Sequence, residues 1–471
     1  MNKKTKIVCT IGPASEKKEV MRELLLNGMN VVRLNFSHGD YQEHGARIET
    51  ARELALETGL PLALLLDTKG PEIRLGDFAN GKEEFTKGDI VKISKAPMLG
   101  TKEMFHVQVP EVFEDVVPGN YILINDGKQK LTILENDGEF LTCRVEVTAP
   151  IGSRKGCNIP GVKLSMPFVS EKDEADIRFG CKQKVDYIAA SFVRRPEDVL
   201  EIRAILKDEG CEDIQIFPKI ENQEGFDNLE AILEVSDGVM VARGDLGVEV
   251  ETQFVPIYQK RMIKTANILG KPVITATHML DSMTENPRCT RAEASDVANA
   301  VLDGTDAVML SAESAAGLYP VEAVKTMATI AAAAEGIIDY RERLEVSKRS
   351  SNRTVQDAIG ISIADAALNL DVQAIVVFTQ GGTTAKRISK FRPCVPIIAA
   401  TFDEKVRRAL VMYCGVKPVI SDVQNNLTND DELASKIAKE NGFLPGQLII
   451  ISAGYPTGEG TANMMKIIKI K

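Results

Sequence analysis

"LALLLDTKGPEIRLG", Leu62 to Gly76, is the stretch on which the fold turns. An apolar run, Leu62 to Leu66, passes straight into Asp67, Thr68 and Lys69, then Gly70-Pro71, then Glu72 and Arg74. A short continuous apolar run without alternation reads as a strand buried on both faces, as in a parallel sheet. Its polar end is then chemistry placed at the edge of that sheet.

Outward from this stretch the pattern repeats. "TKIVCTIGP" (5–13) and "NVVRLNFS" (30–37) precede it, separated by a helical segment, "SEKKEVMRELLLNG", with Ser15 as the expected N-cap and Gly28 as its close. From Gly70 the rhythm changes to short β-like runs, "DIVKIS", "NYILIND" and "EFLTCRVEV", divided by Gly, Pro and Asn turns. Strand–helix alternation resumes with "VDYIAASFV", a helix near Arg195 to Glu209, then "IQIFPKIEN", "GVMVARGDLG", "KPVITATHM" and "DAVMLSAES". Three strands before the interruption and five after it make eight β/α units, the number of a closed parallel (TIM) barrel. An open doubly wound sheet is the competing arrangement. A polar stretch, Glu342 to Thr354, reads as a linker to a separate α/β domain carrying "AIVVFT", "VPIIAAT", "KPVIS" and "QLIIISAG". The expected divisions are barrel over 1–69 and 169–342, an all-β insert over 70–168, and a C-terminal α/β domain over 343–471.

Composition narrows the function. The 471 residues exceed one compact core, and 44% hydrophobic with 26% charged residues is ordinary globular content. A net charge of −10 argues against a nucleic-acid binder. Lys3, Lys4 and Lys6 lead into an apolar run too short for a signal peptide, and no stretch approaches the roughly 18 apolar residues that span a bilayer. Eight cysteines without C-x-x-C spacing suggest neither zinc nor disulfides, which fits a reducing cytoplasm. With four histidines, imidazole chemistry is poorly supplied; His38 and His278 lie near the motifs but read first as structural.

In a β/α barrel the chemistry sits at the C-terminal strand ends. Here those ends carry Arg33, Asn35 and Ser37; Asp67, Thr68 and Lys69; Ser191; Lys219 and Glu221; Arg243 and Asp245; Thr277; and Ser311 with Glu313. Strand ends are wet by nature, so any one of these residues could merely start a loop. The set is harder to dismiss, because Arg33 interrupts a buried run and a buried charge needs a partner. Glu221 and Asp245, two hard carboxylates beside a lysine, suit Mg²⁺ or Mn²⁺. Arg33, Arg74 and Lys219 supply positive charge for a phosphoryl group in transfer. Asn35, Ser37, Asp67 and Thr68 offer oxygens with one formal charge, a set suited to a monovalent cation.

These motifs, "KIVCTIGP", "GMNVVRLNFSHG", "LLDTKGPEIR", "KIENQEG", "SDGVMVARGDLGVE", "ITATHMLDSM" and "PRCTRAEASDVANAVLDGTDAVMLS", resemble pyruvate kinase along essentially the whole chain, in the bacterial form without a C-terminal extension. The resemblance implies a barrel with an inserted β-barrel lid and a C-terminal regulatory domain. It implies phosphoryl transfer from phosphoenolpyruvate to ADP, giving pyruvate and ATP. It implies Mg²⁺ (or Mn²⁺) on Glu221 and Asp245, and K⁺ on Asn35, Ser37, Asp67 and the Thr68 carbonyl. Lys219, Arg33 and Arg74 match the groups that stabilise the transferring phosphoryl. Gly244, Asp245 and Thr277 match positions that bind substrate, and Thr277 and Ser311 positions tied to the proton relay. Asn35, His38, Arg74 and Arg195 match nucleotide contacts, and Asp126 matches a lid acid facing the site. Glu72 stands where potassium-dependent members have glutamate and independent ones lysine. His278, Pro218, Ala312, Ala316, Asn125 and Arg195 depart from the usual pattern without removing a metal ligand or Lys219.

"FTQGGTTAKRISKF" (378–391) is a strand, a loop of glycines and threonines, and a basic helix, a combination that makes an anion pocket or an ordinary capped turn. The resemblance places an allosteric phosphate on Thr379, Gly381, Gly382, Thr383 and Thr384, with Gly454 to Thr461 as a second effector loop. Thr383 stands where some relatives have lysine, which leaves a sugar phosphate or a nucleotide as the effector. The resemblance also implies a homotetramer. The alternatives are a metal-dependent aldolase or lyase on the same barrel, which has no use for the lid or the phosphate loop, and an inactive sugar-phosphate sensor, which has no use for Lys219, Glu221 and Asp245.

Overall fold

The apolar runs become the staves of one parallel barrel. A computed structural model describes residues 3–421, 430–454 and 462–471. The barrel strands are β1 (Lys6–Thr10), β2 (Val31–Asn35), β3 (Ala63–Asp67), β4 (Tyr187–Ala190), β5 (Gln215–Ile220), β6 (Val239–Ala242), β7 (Val273–Ala276) and β8 (Ala307–Leu310). They pair in chain order and β8 returns to β1, so the ring closes and the open-sheet alternative is excluded. Every strand residue is buried except Asn35, which is partly exposed at the mouth. Burial on both faces is why the sequence shows continuous rather than alternating hydrophobicity.

Outer helices follow the strands with readable ends. Asp40 accepts the Gln42 and Glu43 N–H groups to start Tyr41–Thr58, and Thr290 with Glu293 forms a capping box at the head of Arg291–Asp303. Ser15 does not cap the first helix. Its Oγ accepts the Gly12 N–H within the preceding turn, and the helix begins later, at Lys18–Leu26.

Between β3 and β4 the chain leaves the barrel to build the insert. Its seven-stranded mixed sheet wraps as a half barrel, a two-stranded ribbon accompanies it, and Val112–Asp115 is its one short helix. The insert has its own core around Phe78, Phe85 and Phe105. The C-terminal part is a five-stranded sheet in the spatial order Val416–Ile420, Ile397–Thr401, Val372–Phe378, Leu448–Gly454, Ala462–Lys469, with only the last strand antiparallel. The polar stretch expected as a linker is largely helical. Tyr340–Arg349 is a helix capped by Asp339, and residue 342 falls inside it. Of the second effector loop only Gly454 lies among the described residues.

The C-terminal part closes the floor of the barrel. Val411 and Met412 join the interior cluster of Leu65, Tyr187, Phe217 and Met240. The Tyr187 hydroxyl accepts the Met412 N–H at 3.2 Å and donates to the Arg408 carbonyl at 2.9 Å. Among the described residues, no helix is long and apolar enough to cross a membrane. All eight cysteines are unpaired.

Candidate functional site

The opposite end of the barrel gathers the charges. Register sets Asn35 of β2 beside Asp67 of β3, and Asp67 beside Ala189 of β4. Arg33 Nε donates to Asp67 Oδ2 at 2.6 Å, and its Nη1 donates to Thr10 Oγ1 at 2.8 Å. Lys219 Nζ donates to Ser191 Oγ at 2.9 Å and to Asp67 Oδ1 at 3.3 Å. It also forms a buried ion pair with Glu221 Oε1 at 2.9 Å. Glu221 Oε2 accepts the Phe192 N–H at 2.7 Å, and its Oε1 faces the Lys219 ammonium.

These groups tune one another. Burial alone would raise the Asp67 pKa, but Arg33 and Lys219 hold its carboxyl below the usual carboxylate range. Burial would likewise lower the Lys219 pKa, but Asp67 and Glu221 hold the ammonium firmly protonated, above the ordinary lysine value. Glu221 is pushed up to about 8, chiefly by burial, with Lys219 opposing and Asp245 adding to the shift. The site therefore contains a permanent cation and a carboxylate whose ionisation calls for more positive charge than the protein supplies.

Beside this cluster, Thr277 and His278 follow β7 with φ of +67° and +53°, the left-handed region that a β-branched threonine seldom adopts. Thr277 Oγ1 accepts the Gly244 N–H at 2.7 Å and donates to the Ala276 carbonyl at 2.6 Å. Asp245 sits in the first turn of the helix Arg243–Glu249. It lines two cavities, of about 210 and 900 Å³, and Asp126 of the insert lines both as well. The smaller cavity lies under the insert, between Glu72, Asn158 and Glu249, where Asn158 Nδ2 donates to Glu249 Oε1 at 2.8 Å.

The remaining predicted residues lie partly at the edge of the cluster, as Asn35 and Thr68 do, and partly away from it. Arg74, on the insert's first strand, forms a fork on Glu72 with contacts of 2.9 and 2.8 Å. Ser311 follows β8 with a buried, unpartnered Oγ, and its N–H donates to Glu313 at 2.7 Å. Asn35 Oδ1 accepts the Ser37 N–H at 3.2 Å, and the Thr68 carbonyl accepts the Ser191 hydroxyl at 2.5 Å. His38 is exposed, and Arg195 heads the helix Pro196–Asp208 beside Asp198. In the C-terminal part, Thr379 Oγ1 accepts the Gly382 N–H at 3.0 Å, Gly381 precedes Gly382 in the turn, and Thr383 and Thr384 open the helix Thr383–Lys390. Gly382 has φ +83°, and a Cβ there would sit 3.1 Å from Leu410.

Three contributors escaped the sequence reading. Ser191 was visible as a polar strand end but carried no role, and it proves to join Lys219, Asp67 and Thr68. Phe192 contributes only a backbone N–H, from a left-handed φ of +56°, which its side chain does not advertise. Thr10 ends β1 as a small polar residue and supports Arg33. Among the described residues, no group of three or more His, Cys, Asp or Glu is arranged to hold a metal. Glu221 and Asp245 would therefore form a minimal pair of carboxylates that leaves coordination positions open, and their hard oxygen donors fit a hard cation.

Comparison with known proteins agrees with this arrangement. The family model "Pyruvate kinase, barrel domain" matches residues 2–324, and "Pyruvate kinase, alpha/beta domain" matches residues 357–468. The pyruvate kinase of Staphylococcus haemolyticus (strain JCSC1435) is 54% identical over 472 residues, covering 99% of this chain and 80% of its own. That of Staphylococcus aureus (strain MRSA252) is 53% identical over 469 residues with the same coverage. A solved pyruvate kinase from Cryptosporidium parvum superposes with a TM-score of 0.95 at 39% identity, covering 100% of this chain and 97% of that one. With both family models, relatives across nearly every residue and the same fold in three dimensions, this chain belongs to the pyruvate kinase family.

Proposed function

We propose that the barrel mouth carries out the family's phosphoryl transfer, from phosphoenolpyruvate to ADP, with the residues gathered there in the following roles. The observation that carries the assignment is Lys219, buried between Asp67 and Glu221 at the barrel mouth, with Asp245 adding a further acid near Glu221. Glu221 and Asp245 hold Mg²⁺ or Mn²⁺, which when bound supplies positive charge to the phosphoryl oxygens. Lys219 and Arg33 are fixed cations aimed at the charge that spreads over the transferring group. The Thr277 hydroxyl and the first-turn N–H groups at Gly244 and Asp245 receive the substrate carboxylate, and Ser311 stands in the proton relay.

Asn35, Ser37, Asp67 and the Thr68 carbonyl hold K⁺. The acid at position 72 beside Arg74 supports that cation, since a lysine there would replace it. Arg74, Asn35, His38 and Arg195 contact nucleotide. The insert acts as a lid, bringing Asp126 over the site and excluding water that would otherwise compete for the phosphoryl group. The divisions at 69, 168 and 342 stand as proposed domain limits, supported by separate hydrophobic clusters for barrel, insert and C-terminal sheet.

Allosteric control by a sugar phosphate or nucleotide is proposed at Thr379 and Gly381 to Thr384, where a left-handed glycine turns the chain into a helix start. A homotetramer is proposed with it. Ile257, Ile268 and Leu269 on the helix Val255–Leu269 are exposed, as is Ile337, which is apolar surface that another copy would cover. Eight unpaired cysteines support a reducing, cytoplasmic setting.

The deciding experiment measures ATP formation from phosphoenolpyruvate and ADP with Mg²⁺, with and without K⁺. Strong stimulation by K⁺ that disappears in Glu72→Lys supports the cation site. Potassium-independent activity in the unaltered chain removes that site but leaves the transfer in place. Absence of ATP under both conditions, with sugar phosphates added, overturns the assignment of the mouth.

A further inference from the structure

Arg243 ends the run "VMVAR" and has no part in the reaction as described above. Its guanidinium nevertheless has a partner for each of its five N–H donors. Nε donates to the Ala276 carbonyl at 3.2 Å, Nη1 to Asp296 at 2.6 Å and Gln259 at 3.3 Å, and Nη2 to the Thr277 carbonyl at 2.7 Å and Met279 Sδ at 2.8 Å. The side chain is only 11% exposed. One residue thus ties the end of β6 to the end of β7 and to the helices Val255–Leu269 and Arg291–Asp303.

The turn it holds is a strained one. Thr277 and His278 occupy the left-handed region in succession, and such residues persist only where their surroundings over-determine them. Arg243 grips the carbonyls of Ala276 and Thr277, the two peptide units that fix this conformation. The consequence reaches the Thr277 hydroxyl, which sits between the Ala276 carbonyl and the Gly244 N–H. Because Ala276 O also accepts Arg243 Nε, the hydroxyl proton can turn toward a ligand without leaving that buried carbonyl unpaired.

We propose that Arg243 is a positioning residue that holds the strained Thr277–His278 turn, so that the Thr277 hydroxyl faces the substrate carboxylate and is free to donate to it. The inference rests on the reading of Thr277 as a substrate-binding group. A guanidinium is required rather than any cation, since an ammonium offers three donors from one point and cannot span Ala276 O, Thr277 O and Asp296 together.

The test compares Arg243→Lys, Thr277→Ala and the double variant, each checked by thermal melting, with phosphoenolpyruvate and ADP varied separately. Arg243→Lys is expected to lower kcat/KM for phosphoenolpyruvate about 10- to 100-fold, as for a misplaced reacting group, while KM for ADP stays within about twofold. In the Thr277→Ala background the same change is expected to add little, since both act through one hydroxyl. Unchanged kcat/KM for phosphoenolpyruvate in Arg243→Lys, or an equal loss in both backgrounds, overturns the proposal. Normal phosphoenolpyruvate kinetics in Thr277→Ala alone instead overturns the reading of Thr277 on which it stands. If Arg243→Lys does not melt cooperatively, Asp296→Asn, which removes only the charge behind Nη1, is read in its place. A smaller loss confined to phosphoenolpyruvate then supports the proposal, and equal effects on both substrates overturn it.

Discussion

The two ends of the barrel both bury charge, and they do so by opposite rules. At the floor, Arg392 sits on Asp306 through contacts of 2.8 and 2.7 Å, and the same carboxylate accepts the Cys414 and Val273 N–H groups. Arg408 pairs with Asp186 at 2.8 Å, again one cation to one anion. At the mouth, two cations, Arg33 and Lys219, face three acids, Asp67, Glu221 and Asp245. A matched buried pair holds structure together; an unmatched set is a place for a ligand. Burial of charge alone does not separate the two ends, since the floor also buries Lys6 on the Val416 carbonyl without an acid among the described residues; what marks the mouth is its excess of acids over cations.

Substitutions at each end should therefore separate activity from stability. The largest effect expected is Lys219→Met, which should lower kcat by about 10³-fold or more, because its charge counts most when the phosphoryl group is in flight. Taking the buried ammonium away from Asp67 and Glu221 also costs stability, so turnover is measured per folded molecule. Turnover near normal would remove Lys219 from the chemistry.

Arg392→Met should do the reverse. Breaking this buried pair should destabilise the chain by about 3–5 kcal/mol, read by denaturant unfolding, while kcat per folded molecule stays close to normal. A variant as stable as the parent would show that the floor pairs are ornamental and would end the contrast.

Glu221→Gln sharpens it from the other side. Saturating Mg²⁺ should raise the stability of the parent, by about 2.7 kcal/mol at a hundredfold excess over Kd, and should leave this variant unmoved. Equal stabilisation of both would place the ion elsewhere. The smallest effect is expected from Tyr187→Phe at the floor. It leaves the Met412 N–H and the Arg408 carbonyl without the hydroxyl, a loss of about 1–3 kcal/mol in unfolding free energy with unchanged kinetics.

How far the residues were legible beforehand varies with the range of the interaction. Asp67, Lys219 and Glu221 were visible because each ends an apolar run, and motif resemblance supplied their roles. Ser191 was visible in the same way but had no role until Lys219 Nζ was seen to reach it. Phe192 was invisible, since what it contributes is a peptide N–H whose direction depends on backbone conformation. Ser15 looked like a helix cap from local spacing, yet a nearer partner, the Gly12 N–H, takes its hydroxyl. The stretch 342–354 looked like a linker because it is polar, but a helix needs only one buried stripe, and Leu344 is the buried residue of Tyr340–Arg349.

By itself the sequence determined the barrel and its polar rim, because strands buried on both faces must be continuously apolar and their ends must not be. Those are local requirements, written residue by residue along each run. Only the tertiary structure decided which acid each cation would meet, that Lys219 would sit between Asp67 and Glu221, that Arg243 would hold Thr277 in a left-handed turn, and that Val411 and Met412 would close the floor. Asp67 and Lys219 are 152 positions apart, and Tyr187 and Met412 are 225. Contacts over such separations leave no periodicity in the chain, because they arise only when the ring closes and brings its strand ends to one mouth and one floor.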